Sequence, residues 1–201
     1  MKINTVIFDI GGVLVGLSGI RFFRSFGYPE EVCRGLSDAT FESPYWKEFD
    51  RAVLSEQEVI EKFVENTPHL EEEIRECMEN VHGIIFPLET STPWIEEVKE
   101  MGLRTLFLSN YSQKVVRDNL DAMTFMDHLD GGLMSCDCHL IKPDPAFYEA
   151  LIREYDLEPE KCVFLDDTQE NLDTARTFGL NTILVKNYEQ ASRELRELLA
   201  G

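Results

Sequence analysis

At 201 residues and 43% hydrophobic content, the chain can bury one substantial core plus a small accessory unit. Nineteen basic residues against 38 acidic ones give a formal charge of −19. That charge disfavours nucleic acid and anionic membranes as partners, and no apolar run approaches membrane-spanning length. Any phosphorylated ligand would need a local cationic pocket. The acidity is spread out, with 15 acids and 7 bases in residues 17–87, as expected of solvated helix faces. The N-terminal apolar stretch has only Lys2 ahead of it and is broken by Asp9, so it does not read as an export signal. The five cysteines (Cys33, Cys77, Cys136, Cys138 and Cys162) are odd in number and lack a disulfide-domain spacing. A cytoplasmic protein with reduced thiols is expected.

The first predicted element is a buried strand over residues 5–9. Its β-branched, apolar run ends on Asp9 and is followed by Gly11 and Gly12. Such a strand delivers a carboxylate to the open edge of a parallel sheet, and the glycines let the backbone turn sharply beside a ligand. Residues 17–87 then show only amphipathic helical patterns. One follows the capping box Ser55-Glu56-Gln57-Glu58, with Val59, Ile60, Phe63 and Val64 on one face. About seventy residues is too long for a βα loop, so these form an inserted helical cap, with Gly16 and the Phe86-Pro87 region as expected hinges.

Strands are predicted next at residues 104–109, 132–135, 162–166 and 182–185. They alternate with helices opened by Thr92-Pro93, by Asp144-Pro145 and by Asp167 or Thr168. The expected architecture is α/β: a Rossmann-like parallel-sheet core of residues 1–16 and 88–201 carrying an all-helical cap of residues 17–87.

Four strand ends or turns carry chemistry that suits one site. A carboxylate such as Asp9 can attack phosphorus and form an aspartyl-phosphate. Attack on a phosphate dianion needs a divalent cation, which Asp9, Asp166 and Asp167 could hold. Hard oxygen donors with few carboxylates suit Mg²⁺. Ser109 and Asn110 offer a hydroxyl and backbone donors to phosphate oxygens. Lys142, set before Pro143, can pair with Asp9 and the transferring phosphoryl group.

These segments, Phe8-Asp9-Ile10-Gly11-Gly12, Leu108-Ser109-Asn110, Lys142-Pro143-Asp144-Pro145 and Leu165-Asp166-Asp167, resemble the four motifs of the haloacid dehalogenase superfamily of hydrolases. The resemblance extends over the whole chain and is strongest to small sugar-phosphate phosphatases similar to glucose-1-phosphate phosphatase. It implies a Mg²⁺-dependent phosphatase acting on a small phosphorylated metabolite. It also implies Asp9 as nucleophile, Ser109, Asn110 and Lys142 as catalytic and substrate-binding groups, and the Gly11 carbonyl as a metal ligand beside Asp9, Asp166 and Asp167.

Two departures carry consequences. Most phosphatases of the superfamily have a second Asp, an acid–base group, where this chain has Gly11. Such a group is typically worth about 10²–10⁴-fold in rate, so a substrate with a good leaving group is expected: an anomeric, aryl or acyl phosphate. Relatives often have Gly where this chain has His139, which is a candidate substitute acid–base group. Cys136-Asp137-Cys138-His139 is weighed as a metal site and set aside, because structural zinc needs four clustered ligands. The rival readings are a metal-free 2-haloacid dehalogenase-type hydrolase and a non-catalytic binding protein on the same scaffold. Arg21, Arg24, Tyr45, Trp46 and Lys47 in the cap could read a leaving group, with Phe22, Phe23 and Phe26 as cap core. Oligomeric state stays open.

Overall fold

The computed structural model describes residues 2–200. The chain opens with β1 (Thr5–Phe8) and β2 (Val15–Leu17). The helices α1 (Gly19–Arg24), α2 (Glu30–Ala39), α3 (Pro44–Arg51), α4 (Glu56–Asn66) and α5 (Glu71–Glu79) follow, then β3 (Ile85–Pro87). The remainder alternates: α6 (Ser91–Glu100), β4 (Arg104–Ser109), α7 (Gln113–Asp118), β5 (Gly131–Met134), α8 (Ser135–Cys138), α9 (Pro145–Glu154), β6 (Cys162–Asp166), α10 (Gln169–Thr177), β7 (Asn181–Leu184) and α11 (Tyr188–Ala200).

Five strands form one parallel sheet in the order β5-β4-β1-β6-β7. This is a Rossmann-like core with a helical insertion. β1 lies centrally because its residues Thr5 to Phe8 are buried throughout, as a strand covered on both faces requires. Alternation sorts its side chains: Val6 and Phe8 join the cluster holding Trp94, Ile95 and Val98 of α6, and Ile7 joins Phe147, Leu151, Leu172 and Ala175 of α9 and α10. Phe8 and Trp94 meet edge to face at 5.2 Å. From β1 the chain proceeds to β4 and β5 on one side, then to β6 and β7 on the other. The carboxyl edge at β1 is thus the switch point where ligands of open α/β sheets bind.

The insertion has its own aromatic centre, in which Phe23, Phe41, Trp46, Phe49 and Phe63 touch in sequence. Phe22 and Phe23 are buried there and Phe26 packs against them. The Ser55–Glu58 capping box forms at the start of α4.

Three local expectations are corrected. Residues 17–87 are not free of strand: Val15, Gly16 and Leu17 pair antiparallel with Pro87, Phe86 and Ile85. Three-residue strands are too short to show a period, and Gly16 supplies no side chain to the pattern. A Cβ at Gly16 would overlap the Phe86 ring. Helix α6 starts earlier than Thr92, because Ser91 lies inside it with its hydroxyl donating to Leu14 O. Asp167 and Thr168 make no side-chain cap for α10; Asp166 Oδ1 accepts the Thr168 amide at 2.7 Å instead. Strands 104–109 and 162–166 form with the expected bounds, and the remaining strand ends shift by at most a single residue.

Candidate active site

Strand register decides what meets at the sheet edge. β1 pairs with β4 on one side and β6 on the other. Asp9, one residue past β1, therefore lies between Ser109, the last residue of β4, and Asp166, the last of β6. The Asp9 amide continues the ladder to Leu165 O at 2.8 Å, which fixes where its side chain emerges.

Asp9 has two unlike oxygens. Oδ1 accepts from the Ile10 amide at 2.7 Å, the Ser109 hydroxyl at 2.6 Å and Lys142 Nζ at 2.8 Å. Among the described residues, no donor reaches Oδ2. One oxygen is thus anchored and the other is available to react. Lys142, only 3% exposed, also reaches Asp166 Oδ2 at 2.7 Å, so a single ammonium bridges both acids. Burial alone would lower its pKa, but the flanking carboxylates hold it above the ordinary lysine value. Burial raises Asp9 to about 7, against the pull of Lys142 and with the push of Asp166.

Asn110 accounts for where Lys142 sits. Its Oδ1 accepts the Lys142 amide at 2.8 Å and its Nδ2 donates to Lys142 O at 3.0 Å. The Lys142–Pro143 peptide is cis. Both ends of the Asn110 amide therefore hold the lysine loop, so this side chain positions Lys142. Asp166 is fully buried; Asn171 Nδ2 spans its two oxygens at 3.0 and 3.1 Å.

Carboxylate oxygens of Asp9, Asp166 and Asp167 lie within 4.8 Å of one another. Three acids face one lysine, an excess of negative charge made of hard oxygen donors, and this set fits Mg²⁺. Asp167 is pushed above the usual aspartate value by burial and by Asp166. Gly12, at φ +71°, passes so close that a Cβ would overlap the Asp167 carboxylate. Among the described residues, no other group of three His, Cys, Asp or Glu converges in this way, and Cys136, Cys138 and His139 form no such cluster.

Above these groups is a cavity of about 220 Å³. Asp9, Gly11, Ser109, Asn110, Lys142 and Asn171 form its floor, and Leu17, Trp46, Ile84 and Val115 its apolar wall. Of the cap residues singled out from sequence, only Trp46 lines it. Arg24 pairs with Glu30 on the surface, Arg21 stacks on Phe86, Lys47 is exposed and Tyr45 packs against the cap core. His139 is exposed, with Nδ1 3.0 Å from Arg51 O, and does not border the cavity. Three lining residues carried no sequence signal: Asn171, Asp50 and Tyr111. A lone polar residue within a helix pattern reads as surface, and Tyr111 as ordinary core.

The model of the haloacid dehalogenase-like hydrolases matches residues 3–179. A phosphatase of Mycobacterium tuberculosis is 30% identical, over 92% of this chain and 88% of its own. Bifunctional epoxide hydrolase 2 of Sus scrofa is 27% identical over 98% of this chain, which spans 39% of the length of that relative. A Bacteroides thetaiotaomicron enzyme of the same family, solved with magnesium and inorganic phosphate, superposes with a TM-score of 0.69 at 17% identity, over 92% of this chain and 95% of that one.

Proposed function

Because the chain belongs to the haloacid dehalogenase-like hydrolases, we propose that it is a Mg²⁺-dependent phosphatase that releases phosphate from a small metabolite through an aspartyl-phosphate on Asp9. The observation that carries this reading is the asymmetry of Asp9, one oxygen held by three donors and the other without a donor beside a lysine and two further acids. A nucleophile needs that combination of fixed orientation and a free lone pair.

Asp9 Oδ2 attacks phosphorus in line with the leaving oxygen. Ser109 and Lys142 hold the carboxylate and stabilise charge on the phosphoryl oxygens as it spreads. Asp9, the Gly11 carbonyl, Asp166 and Asp167 are the groups that would hold Mg²⁺. When bound, the cation neutralises charge between the attacking carboxylate and the phosphoryl group. Asn171 and Asn110 keep Asp166 and Lys142 in place. The apolar wall of Trp46, Leu17, Ile84 and Val115 excludes water and limits the leaving group to a small organic moiety.

The phosphatase name of the mycobacterial relative supports phosphate as the group transferred. Three acids converging on one point support a cation, for which carbon–halogen displacement has no use. Five free thiols agree with a reducing compartment such as the cytoplasm. The test is a panel of phosphate monoesters and 2-haloacids assayed with Mg²⁺ and with a chelator. Phosphate release only with Mg²⁺ is expected; chelator-resistant halide release would overturn the reading.

A further inference from the structure

Position 11 lacks the carboxyl that would carry a proton, and the structure shows what fills that place. A Cβ on Gly11 would lie 3.2 Å from the Tyr111 hydroxyl. Tyr111 is 4% exposed, and among the described residues its buried hydroxyl oxygen has no hydrogen-bond partner. A buried donor left open in a ligand cavity is costly unless a ligand uses it.

Asp50, on the last turn of α3 in the cap, lines the same cavity. It is a buried carboxyl, and among the described residues no cation pairs with it. Lys142, the cation facing it, is already bound between Asp9 and Asp166. The other titratable groups around it are Asp9 and Tyr111 from the core and Cys136 from α8. One hydroxyl ties this arrangement together: Ser135 Oγ accepts the Tyr111 amide at 2.9 Å and donates to Asp50 O at 2.8 Å. Asp50 is therefore pinned to the catalytic core although it belongs to the insertion.

We propose that Asp50 is the acid–base residue of this site, delivered by the cap in place of a carboxyl at position 11, with the Tyr111 hydroxyl donating a hydrogen bond to the leaving oxygen beside it. This rests on the phosphatase reading above. In the first step Asp9 Oδ2 forms its bond to phosphorus and the bond to the leaving oxygen breaks. That oxygen keeps the electron pair and takes the proton from Asp50. In the second step the Asp50 carboxylate removes a proton from water, whose oxygen bonds to phosphorus. The Asp9–phosphorus bond breaks, the pair returns to Asp9, and Asp50 ends protonated as it began. Burial raises Asp50 to about 7, where both forms are populated, as such a role needs. A group of this kind frees the enzyme from the restriction to good leaving groups that Gly11 alone implies.

The test compares wild type with Asp50→Asn on p-nitrophenyl phosphate and on glycerol phosphate, both with Mg²⁺. Wild-type turnover of either substrate satisfies the phosphatase reading independently of Asp50. In Asp50→Asn, kcat/KM for glycerol phosphate should fall by about 10²–10⁴-fold and lose its alkaline limb. For p-nitrophenyl phosphate, kcat/KM should change by less than about 10-fold while kcat falls and a burst of nitrophenol appears, because only the second step still needs a base. Equal losses of kcat/KM on both substrates, or undiminished turnover of glycerol phosphate, would overturn the proposal. If Asp50→Asn does not fold, Asp50→Ser is read by the same ratio. Tyr111→Phe should lower kcat/KM for glycerol phosphate more than for the nitrophenyl ester, without moving the alkaline limb.

Discussion

Asp9 and Asp50 have different costs and different tests. Asp9→Asn keeps the shape of the anchor but removes the nucleophile, so turnover should fall on the order of 10⁴-fold or more in a phosphate-release assay. Asp50 also leaves a signature in stability. An unfolded aspartate titrates near its ordinary value, whereas burial raises the folded one to about 7. Between those values the native state holds a proton that the unfolded chain releases, so Asp50 lowers stability progressively as pH rises through that window. Asp50→Asn should therefore be more stable than wild type at pH 8, on the order of 4 kcal/mol, and nearly equal to it at pH 4. Thermal melts at the two pH values check this; a larger gain at pH 4 would contradict it.

At the scale of elements, catalysis depends on loops held by their neighbours. Asn110→Ala frees the Lys142 loop from both of its hydrogen bonds and should cost about 10²-fold in kcat, since misplacement near an ångström has that effect. Gly12→Ala forces a side chain onto a left-handed φ of +71° and against Asp167. It should cost at least about 1–2 kcal/mol in denaturant unfolding and weaken Mg²⁺ binding in titration. Much of this architecture was legible in the sequence. Apolar runs ending on Asp9, Ser109 and Asp166 announce parallel strands, and the Ser55 box and the Asp144-Pro145 pair announce helix starts. The short β2–β3 pair was not legible, because three residues carry no period. The side-chain contacts of Asn110 were not legible, since their partner lies 32 residues away on a loop and only the fold brings them together. Asp50 was invisible for a related reason: its meaning comes from the Ser135 hydroxyl, 85 residues further on.

For the whole molecule, the insertion and core act as one site. The core supplies Asp9, Lys142 and the cluster of Asp9, Asp166 and Asp167; the insertion lines the same cavity with Trp46 and Asp50. In a chain carrying −19 overall, the proposed function places the attraction for phosphate at Lys142 and a bound cation. Mg²⁺ should raise the melting temperature, with about 2.7 kcal/mol of stabilisation at a hundredfold excess over Kd, and Asp166→Asn should abolish that shift. The most direct test of covalent capture by Asp9 is rapid acid quench of the enzyme turning over p-nitrophenyl phosphate with Mg²⁺, followed by peptide mass spectrometry. One phosphoryl group on the peptide containing Asp9, absent when the cation is chelated, is the predicted result. Phosphate release at full rate with that peptide never modified would contradict the account.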